Sequence, residues 1–438
     1  MNRKAFALIA GFVSVLGLSA CSDLFSDEPP PLKGERISVL ELQKSLEPDD
    51  MALEAQGLVM PKAWRNEFWP QVGGYPNHSM QNLVMSEGEL ERVWRADIGR
   101  GGSSEIPLLS QPILVDGIIY TLDARANLSA FDIEDGDRLW RVDVSDEEEG
   151  DTVIAGGIAF SKNTLFVTNG YSQLVAVDPQ SGEIKWRAKL PAPSKAAPSV
   201  MGGRIYVTTL DSRVLALDID NGEVLWAYEG NAEDTGLVGT ASPAVNNDIV
   251  VPVFSSGEII ALRVENGSVA WGDNLAAVWG FGGLSAIADI RAMPVLDKGL
   301  VFAVSFSGRM VAIDERTGQR VWQREISATQ TPWVAGNHVF VLSAENQLIS
   351  LGRDTGAVRW VTELPRYEDD EPVVLTGPVL AGGRLIVVGS EGRVFEIEPE
   401  GGEIIREWDA GNTISISPIV AGGTLYLLEN NGTLSAYR

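Results

Sequence analysis

The sequence predicts an all-β fold, an eight-bladed β-propeller of four-stranded blades in which an N-terminal strand completes the last blade. Three patterns point to it. Tryptophans fall at Trp94, Trp140, Trp186, Trp226, Trp271, Trp322, Trp360 and Trp408, spaced 38 to 51 residues apart, a blade-sized period. Six of them follow a glycine by four residues (Gly136, Gly182, Gly222, Gly267, Gly318 and Gly356), while Gly402 and Gly88 precede Trp408 and Trp94 by six. The final copy, Leu425-Tyr426-Leu427 followed by Gly432 to Tyr437, stops where its own glycine and tryptophan are due, and Gly88 with Trp94 are the missing pieces. An unclosed blade leaves an edge that invites aggregation, so the closing strand is placed at about residues 89–96.

From the N-terminus, Asn2-Arg3-Lys4 and the uncharged run of 14 residues from Ala5 to Leu18 read as an export leader, because that run is too short to span a bilayer comfortably. Leu18-Ser19-Ala20-Cys21 resembles a bacterial lipobox. That resemblance implies a signal peptide over 1–20, acylation of Cys21 as the new first residue, and, with Ser22 next, sorting to the outer membrane. Three acyl chains anchor a protein far more firmly than one. Residues 21–63, with Pro29-Pro30-Pro31 and scattered charge, read as a lipidated flexible tether, and 64–438 as the propeller.

Within the propeller, β-branched and aromatic runs such as Ile118-Ile119-Tyr120 and Ile205-Tyr206-Val207 are bounded by Gly, Asn and Asp, which is strand and tight-turn chemistry. A small residue and an aspartate precede most glycine turns, as in Ala130-Phe131-Asp132, Ala176-Val177-Asp178, Ala216-Leu217-Asp218 and Ala312-Ile313-Asp314; Ser350-Leu351-Gly352 and Glu396-Ile397-Glu398 are weaker copies. No convincing helix-length pattern occurs in the body. This unit resembles the tryptophan-docking repeat of pyrroloquinoline-quinone enzyme propellers, in which each tryptophan wedges between neighbouring blades, and Trp64 to Pro70 with Gly73-Gly74-Tyr75-Pro76 resembles the entry segment common there, where the chain lies on the propeller before the closing strand. Burying about 150 to 250 Å² per ring at about 25 cal/mol/Å² is worth roughly 4 to 6 kcal/mol gross, so these tryptophans read as structural.

Composition excludes several functions. The formal charge of -26, or -28 once Arg3 and Lys4 are removed, repels nucleic acid and anionic lipid surfaces. With the only cysteine assigned to lipid, no thiol remains for a disulfide, a thiolate metal site or a nucleophile. The quinone dehydrogenases that share this repeat commonly place a vicinal cysteine pair over the quinone, and this chain has none. His78 and His338 lack metal-motif spacing and are expected on loops or the surface. Asp218-Ile219-Asp220-Asn221-Gly222-Glu223 has a calcium-loop look, but Glu265-Asn266-Gly267 puts the same glycine in a plain turn. The acidic run from Asp146 to Asp151 reads as a solvated loop. No metal or cofactor beyond the lipid is expected.

A lipobox followed by eight such repeats resembles the BamB family, lipoprotein subunits of the β-barrel assembly machine. The resemblance implies a non-catalytic scaffold, monomeric within the complex, that binds the periplasmic domains of BamA beside other assembly subunits and helps outer-membrane proteins insert. Two interblade loops carry the BamA contacts in that family. The first matches Thr235-Gly236-Leu237-Val238-Gly239 and the second Asp289-Ile290-Arg291-Ala292-Met293-Pro294, which makes Leu237, Val238, Gly239, Asp289 and Arg291 the candidate partner residues. Thr235, Val238 and Arg291 depart from the family pattern, removing charge from one loop and reversing it in the other. Leu237 and Pro294 equally suit blade packing, and Asp289 and Arg291 would project to one side of an extended segment. The alternatives are a quinone-dependent dehydrogenase or a propeller that binds a small ligand.

Overall fold

The computed structural model describes residues 46–49, 59–145, 154–231, 241–276, 290–368 and 371–438, all within one unit spanning 46–438. The leader, Cys21 and the acidic run 146–151 lie outside the described residues. Among the described residues there are eight four-stranded antiparallel sheets and one short two-stranded ribbon. The first blade comprises Ile113–Val115, Ile118–Leu122, Asn127–Asp132 and Arg138–Asp143, and the next six repeat this order along the chain. The eighth combines Ile419–Ala421, Thr424–Leu428 and Thr433–Tyr437 with Arg92–Asp97 as its outer strand. The closing strand thus falls within a few residues of its expected place. Among the described residues the single helical turn is Ser390–Gly392.

Burial follows position in the blade. Middle strands such as Asn127–Asp132 are buried on both faces because blades stack on either side, whereas outer strands such as Arg92–Asp97 alternate. Each outer strand also carries a bulge one residue before its aligned partner: Ala130 pairs with Trp140 and Phe131 with Arg138, so Leu139 is left over and exposed. Leu225, Val321, Ile405 and Val93 are exposed at the same step. A bulge interrupts the edge ladder and discourages strand pairing with other chains.

Seven of the eight tryptophans dock on the next blade's glycine turn. A Cβ added to Gly136, Gly182, Gly222, Gly267, Gly318, Gly356 or Gly402 would come within 2.5–2.8 Å of a ring atom of Trp94, Trp140, Trp186, Trp226, Trp271, Trp322 or Trp360 respectively. These glycines have φ between +66° and +80°, so two requirements fall on one residue. The indole N–H then reaches a carbonyl of the same turn, for example Trp140 Nε1 to Pro179 O at 3.0 Å and Trp322 Nε1 to Arg353 O at 2.8 Å. Gly136→Ala is therefore expected to cost about 2–4 kcal/mol, from left-handed backbone plus overlap with Trp94. Gly203→Ala, at φ +78° but with only Lys162 Nζ nearby at 3.8 Å, should cost about 1 kcal/mol. Urea midpoints of the two variants measure the difference; equal midpoints would remove the docking contribution.

Trp408 is the exception, and its spacing of six has a structural cause. Arg406, four residues after Gly402, pairs with Glu396 where the other blades pair a small residue with tryptophan; Trp408 sits two residues further along the same face. Its next blade offers no glycine turn, because that turn is replaced by the two chain segments at the seam, where Glu91 and Arg438 exchange main-chain bonds of 2.8 and 3.0 Å. Gly88 is not a turn residue. Its carbonyl accepts from Arg384 Nη2 and Arg406 Nη1, both at 3.1 Å, and Ser86 O accepts from Arg384 Nη1 at 2.8 Å. Glu396, 1% exposed, faces Arg384 Nε at 2.7 Å and Arg406 Nη1 at 3.1 Å and accepts from Trp408 Nε1 at 2.9 Å. A buried ionic cluster holds the seam where the tryptophan-on-glycine contact is missing.

Candidate partner-binding surface

Residues 64–83 follow the ring of inner strands and reach every blade. Gly422 N–H of the eighth blade donates to Asn66 O, and Asn66 Nδ2 donates to Val420 O at 2.6 Å. Trp69 exchanges main-chain bonds of 2.7 and 2.9 Å with Leu114 of the first blade, and Phe160 N–H of the second donates to Pro70 O at 2.7 Å. The Gln71 amide brackets Val200 of the third, accepting from its N–H at 3.0 Å and donating to its carbonyl at 3.4 Å. Pro76 O accepts from Val245 of the fourth, Asn77 O from Leu296 of the fifth, Gln81 O from Trp333 Nε1 of the sixth, and Leu83 N–H donates to Leu380 O of the seventh. Inner strands are sheet edges, and their buried N–H and C=O groups need partners. Side-chain amides supply a donor and an acceptor together, which suits Asn and Gln to this path.

Trp69, Met80 and Leu83 are fully buried along it, and so is His78. The His78 ring Nδ1 lies 2.7 Å from Pro294 O, so this nitrogen carries the hydrogen and donates; burial pushes the ring down to about 4. His338 is buried too, with Nδ1 2.9 Å from Ser350 Oγ and the ring stacked on Phe340; burial first and the Arg359 charge second lower it to about 3. Both therefore differ from the loop or surface placement expected for them. His78 belongs to the axial segment, and His338 opens a strand with its ring turned onto the sheet.

A quinone with its calcium ion needs an open slot and oxygen ligands on the axis. The residues here do not fit: an indole, a thioether and a neutral imidazole take up space beside the inner strands, and among the described residues no group of three His, Cys, Asp or Glu could hold a metal ion. The stretch from Asp218 to Glu223 is a blade turn, with Gly222 N–H donating to Asp218 O at 2.9 Å and Asp218 Oδ1 taking Asp220 N–H at 2.9 Å.

Leu237, Val238, Gly239 and Asp289 lie outside the described residues. From Ile290 to Pro294 burial alternates, with Ile290, Ala292 and Pro294 inside and Arg291 and Met293 partly exposed, as in an extended segment. This strip is held from both sides: His78 binds Pro294 O, and Met293 N–H donates to Thr331 Oγ1 at 3.1 Å. Arg291 is thus presented on a rigid support. Next to the root of the other connector, an open groove of about 750 Å³ is lined by Lys189, Leu190, Arg213 and Tyr228.

The model of the family described as outer membrane protein assembly factor BamB matches residues 84–161, 124–362 and 368–438. The chain belongs to the BamB family. Outer membrane protein assembly factor BamB of Yersinia pestis is 23% identical over 436 residues, covering 98% of each chain. The crystal structure of BamB from Moraxella catarrhalis superposes with a TM-score of 0.67 at 21% identity, over 80% of this chain and 100% of that one. The quinohemoprotein alcohol dehydrogenase of Comamonas testosteroni superposes with a TM-score of 0.65 at 14% identity, over 89% and 82%. At such identities the structural likenesses speak for the fold alone, and the BamB assignment rests on the sequence matches. BamB membership gives the chain a role in outer membrane protein assembly. The entry segment expected to lie on the propeller does so, through Trp69 with Leu114, Pro70 with Phe160 and Pro76 with Val245; what the sequence did not show is that residues 64–83 reach every blade, for which the run of Asn and Gln around buried aromatics is the available signal.

Proposed function

We propose that this chain is a non-catalytic scaffold of the β-barrel assembly machine, anchored through lipid on Cys21 at the periplasmic face of the outer membrane. It binds the periplasmic domains of BamA, alongside other assembly subunits, and assists the folding and insertion of outer-membrane proteins. The observation that carries this reading is the lining of the inner strands: residues 64–83 bond to all eight blades and bury Trp69, His78, Met80 and Leu83 against them, which leaves loops on a rigid scaffold as the working surface. The connectors that carry residues 237–239 and 289–291 flank the fourth blade, Ala244–Val245 to Val269–Asn274, and supply adjacent contacts for one partner. Arg291 and Asp289 bring polar selectivity, and Leu237 brings apolar area.

The test is a gentle detergent pull-down of tagged wild type beside Asp289→Arg and Arg291→Asp variants whose thermal midpoints match it. BamA should be recovered with wild type and fall at least about tenfold with Arg291→Asp, as for a lost charge pair of 2 kcal/mol or more. Absence of BamA from all three samples, or a quinone chromophore in the purified protein, overturns the scaffold reading. Cys21→Ser should move the protein from the membrane fraction to the soluble periplasm.

A further inference from the structure

We infer that Leu46 to Asp49 form a latch that fastens the N-terminal tether to the rim between the fifth and sixth blades. Asp49 N–H donates to Val358 O at 2.9 Å, and Asp49 Oδ2 accepts from Val358 N–H at 2.8 Å and from Arg324 Nη2 at 2.9 Å. One residue thus pairs with both main-chain groups of Val358 on its outer edge and with a cation from the preceding blade. Leu46 packs against the apolar core shared by these two blades. The covering is local. Val358 is 2% exposed, whereas Val224, Val269 and Ile404, at the same step of their outer strands, are 51%, 51% and 44% exposed.

Arg324 explains why this notch and no other takes the tether. It lies two residues after Trp322; the residues two after the other aligned tryptophans are Ala96, Val142, Ala188, Tyr228, Asp273 and Thr362, and the seventh blade has Trp408 there. None offers a cation, and Asp273 is an anion already paired with Arg320 Nε at 2.6 Å. Arg324 is itself steadied by its Nε bond to Gly356 O in the sixth-blade turn. The guanidinium is therefore set before the carboxylate arrives, which reduces the ordering cost of the contact.

The consequence for function rests on the lipid anchoring at Cys21 proposed above. At about 3.4 Å per extended residue, a tether running from Cys21 to Leu46 reaches at most roughly 85 Å, against roughly 130 Å if the first fixed point were Val59. The latch shortens the leash by about a third and makes one sector of the rim the point from which the disc is held. The latch thereby biases which side of the propeller faces the membrane.

Hydrogen exchange on the full chain in detergent micelles tests it, read at the Val358 amide with the Val341 amide in the interior of the same sixth blade as a folding control. Asp49→Ala and Arg324→Gln should each speed exchange at Val358 by about tenfold, the loss of one hydrogen bond, and leave Val341 unchanged. Unchanged exchange at Val358 in Asp49→Ala overturns the latch. If Arg324→Gln also loosens Val341, Asp49→Ala decides, because Asp49 sits outside the blade core. Cys21→Ser separates the two readings: lost membrane retention with Val358 still protected keeps the latch, whereas a failed latch with intact membrane retention leaves only the anchoring.

Discussion

Glu396→Ala should lower the stability of the folded chain by about 3–5 kcal/mol, the largest effect expected of any single substitution here. The side chain is 1% exposed and its removal strands Arg384, itself 3% exposed, with its charge uncompensated. Breaking one partner of a buried pair costs far more than the pair contributes relative to apolar packing, because the remaining ion cannot return to water. The damage is also placed at the ring's weakest point. Arg384 and Arg406 would lose the carboxylate that aims them at Ser86 O and Gly88 O, and Trp408 would lose its acceptor. A thermal midpoint lowered on the order of 5 °C or more should result. Glu229→Ala, which removes an exposed partner of Arg213, is the control and should leave the midpoint in place. A Glu396→Ala midpoint equal to wild type would mean that the closing strand holds the seam unaided.

Mild acid should destabilise the chain steeply, beginning near pH 6.5. In the unfolded chain both histidines titrate near their ordinary value of 6.5, while in the fold His78 stays neutral down to about 4 and His338 to about 3. A depressed pKa on a base means that the unfolded state binds more protons over that window, so stability rises with pH and is complete above the unfolded value. Each histidine removes about 1.4 kcal/mol per pH unit below 6.5, so the pair costs about 5 kcal/mol by pH 4.5. Carboxylates held low, such as Asp178 by the N–H groups of Ser181 and Gln180, add their loss only as pH falls below the ordinary carboxylate range, and so stand apart. Urea midpoints at pH 7, 5.5 and 4.5 measure the slope. His78→Asn should reduce the slope by about half, asparagine being at ease with the φ of +59° at this position. A midpoint flat from pH 7 to 5 would show that water or a local opening reaches both rings.

Blade number and closure were legible because a tryptophan docked on a glycine needs both residue types at fixed separation, and that demand repeats with the blade. The two pairs separated by six were the clue to the seam, yet their meaning was hidden. Arg406 occupies the aligned position because Trp408 has no glycine turn ahead of it, a fact of ring closure and not of local pattern. The histidines were misplaced for a similar reason: spacing said that they form no metal motif, and nothing in their neighbours said that Pro294 and Ser350 would bury them. Asp49 looked like one more tether charge until Arg324, far along the chain, was set beside it.

The sequence by itself determined the repeat, the strand-and-turn content of each blade and the kinship with BamB, because these follow from residue types a few positions apart. Tertiary structure alone decided the path of residues 64–83 through all eight blades, the ionic seam and the docked Asp49. Each depends on groups brought together across hundreds of residues, as Asn66 is with Val420, and which buried N–H or C=O is left needing a partner is settled only once the ring has closed.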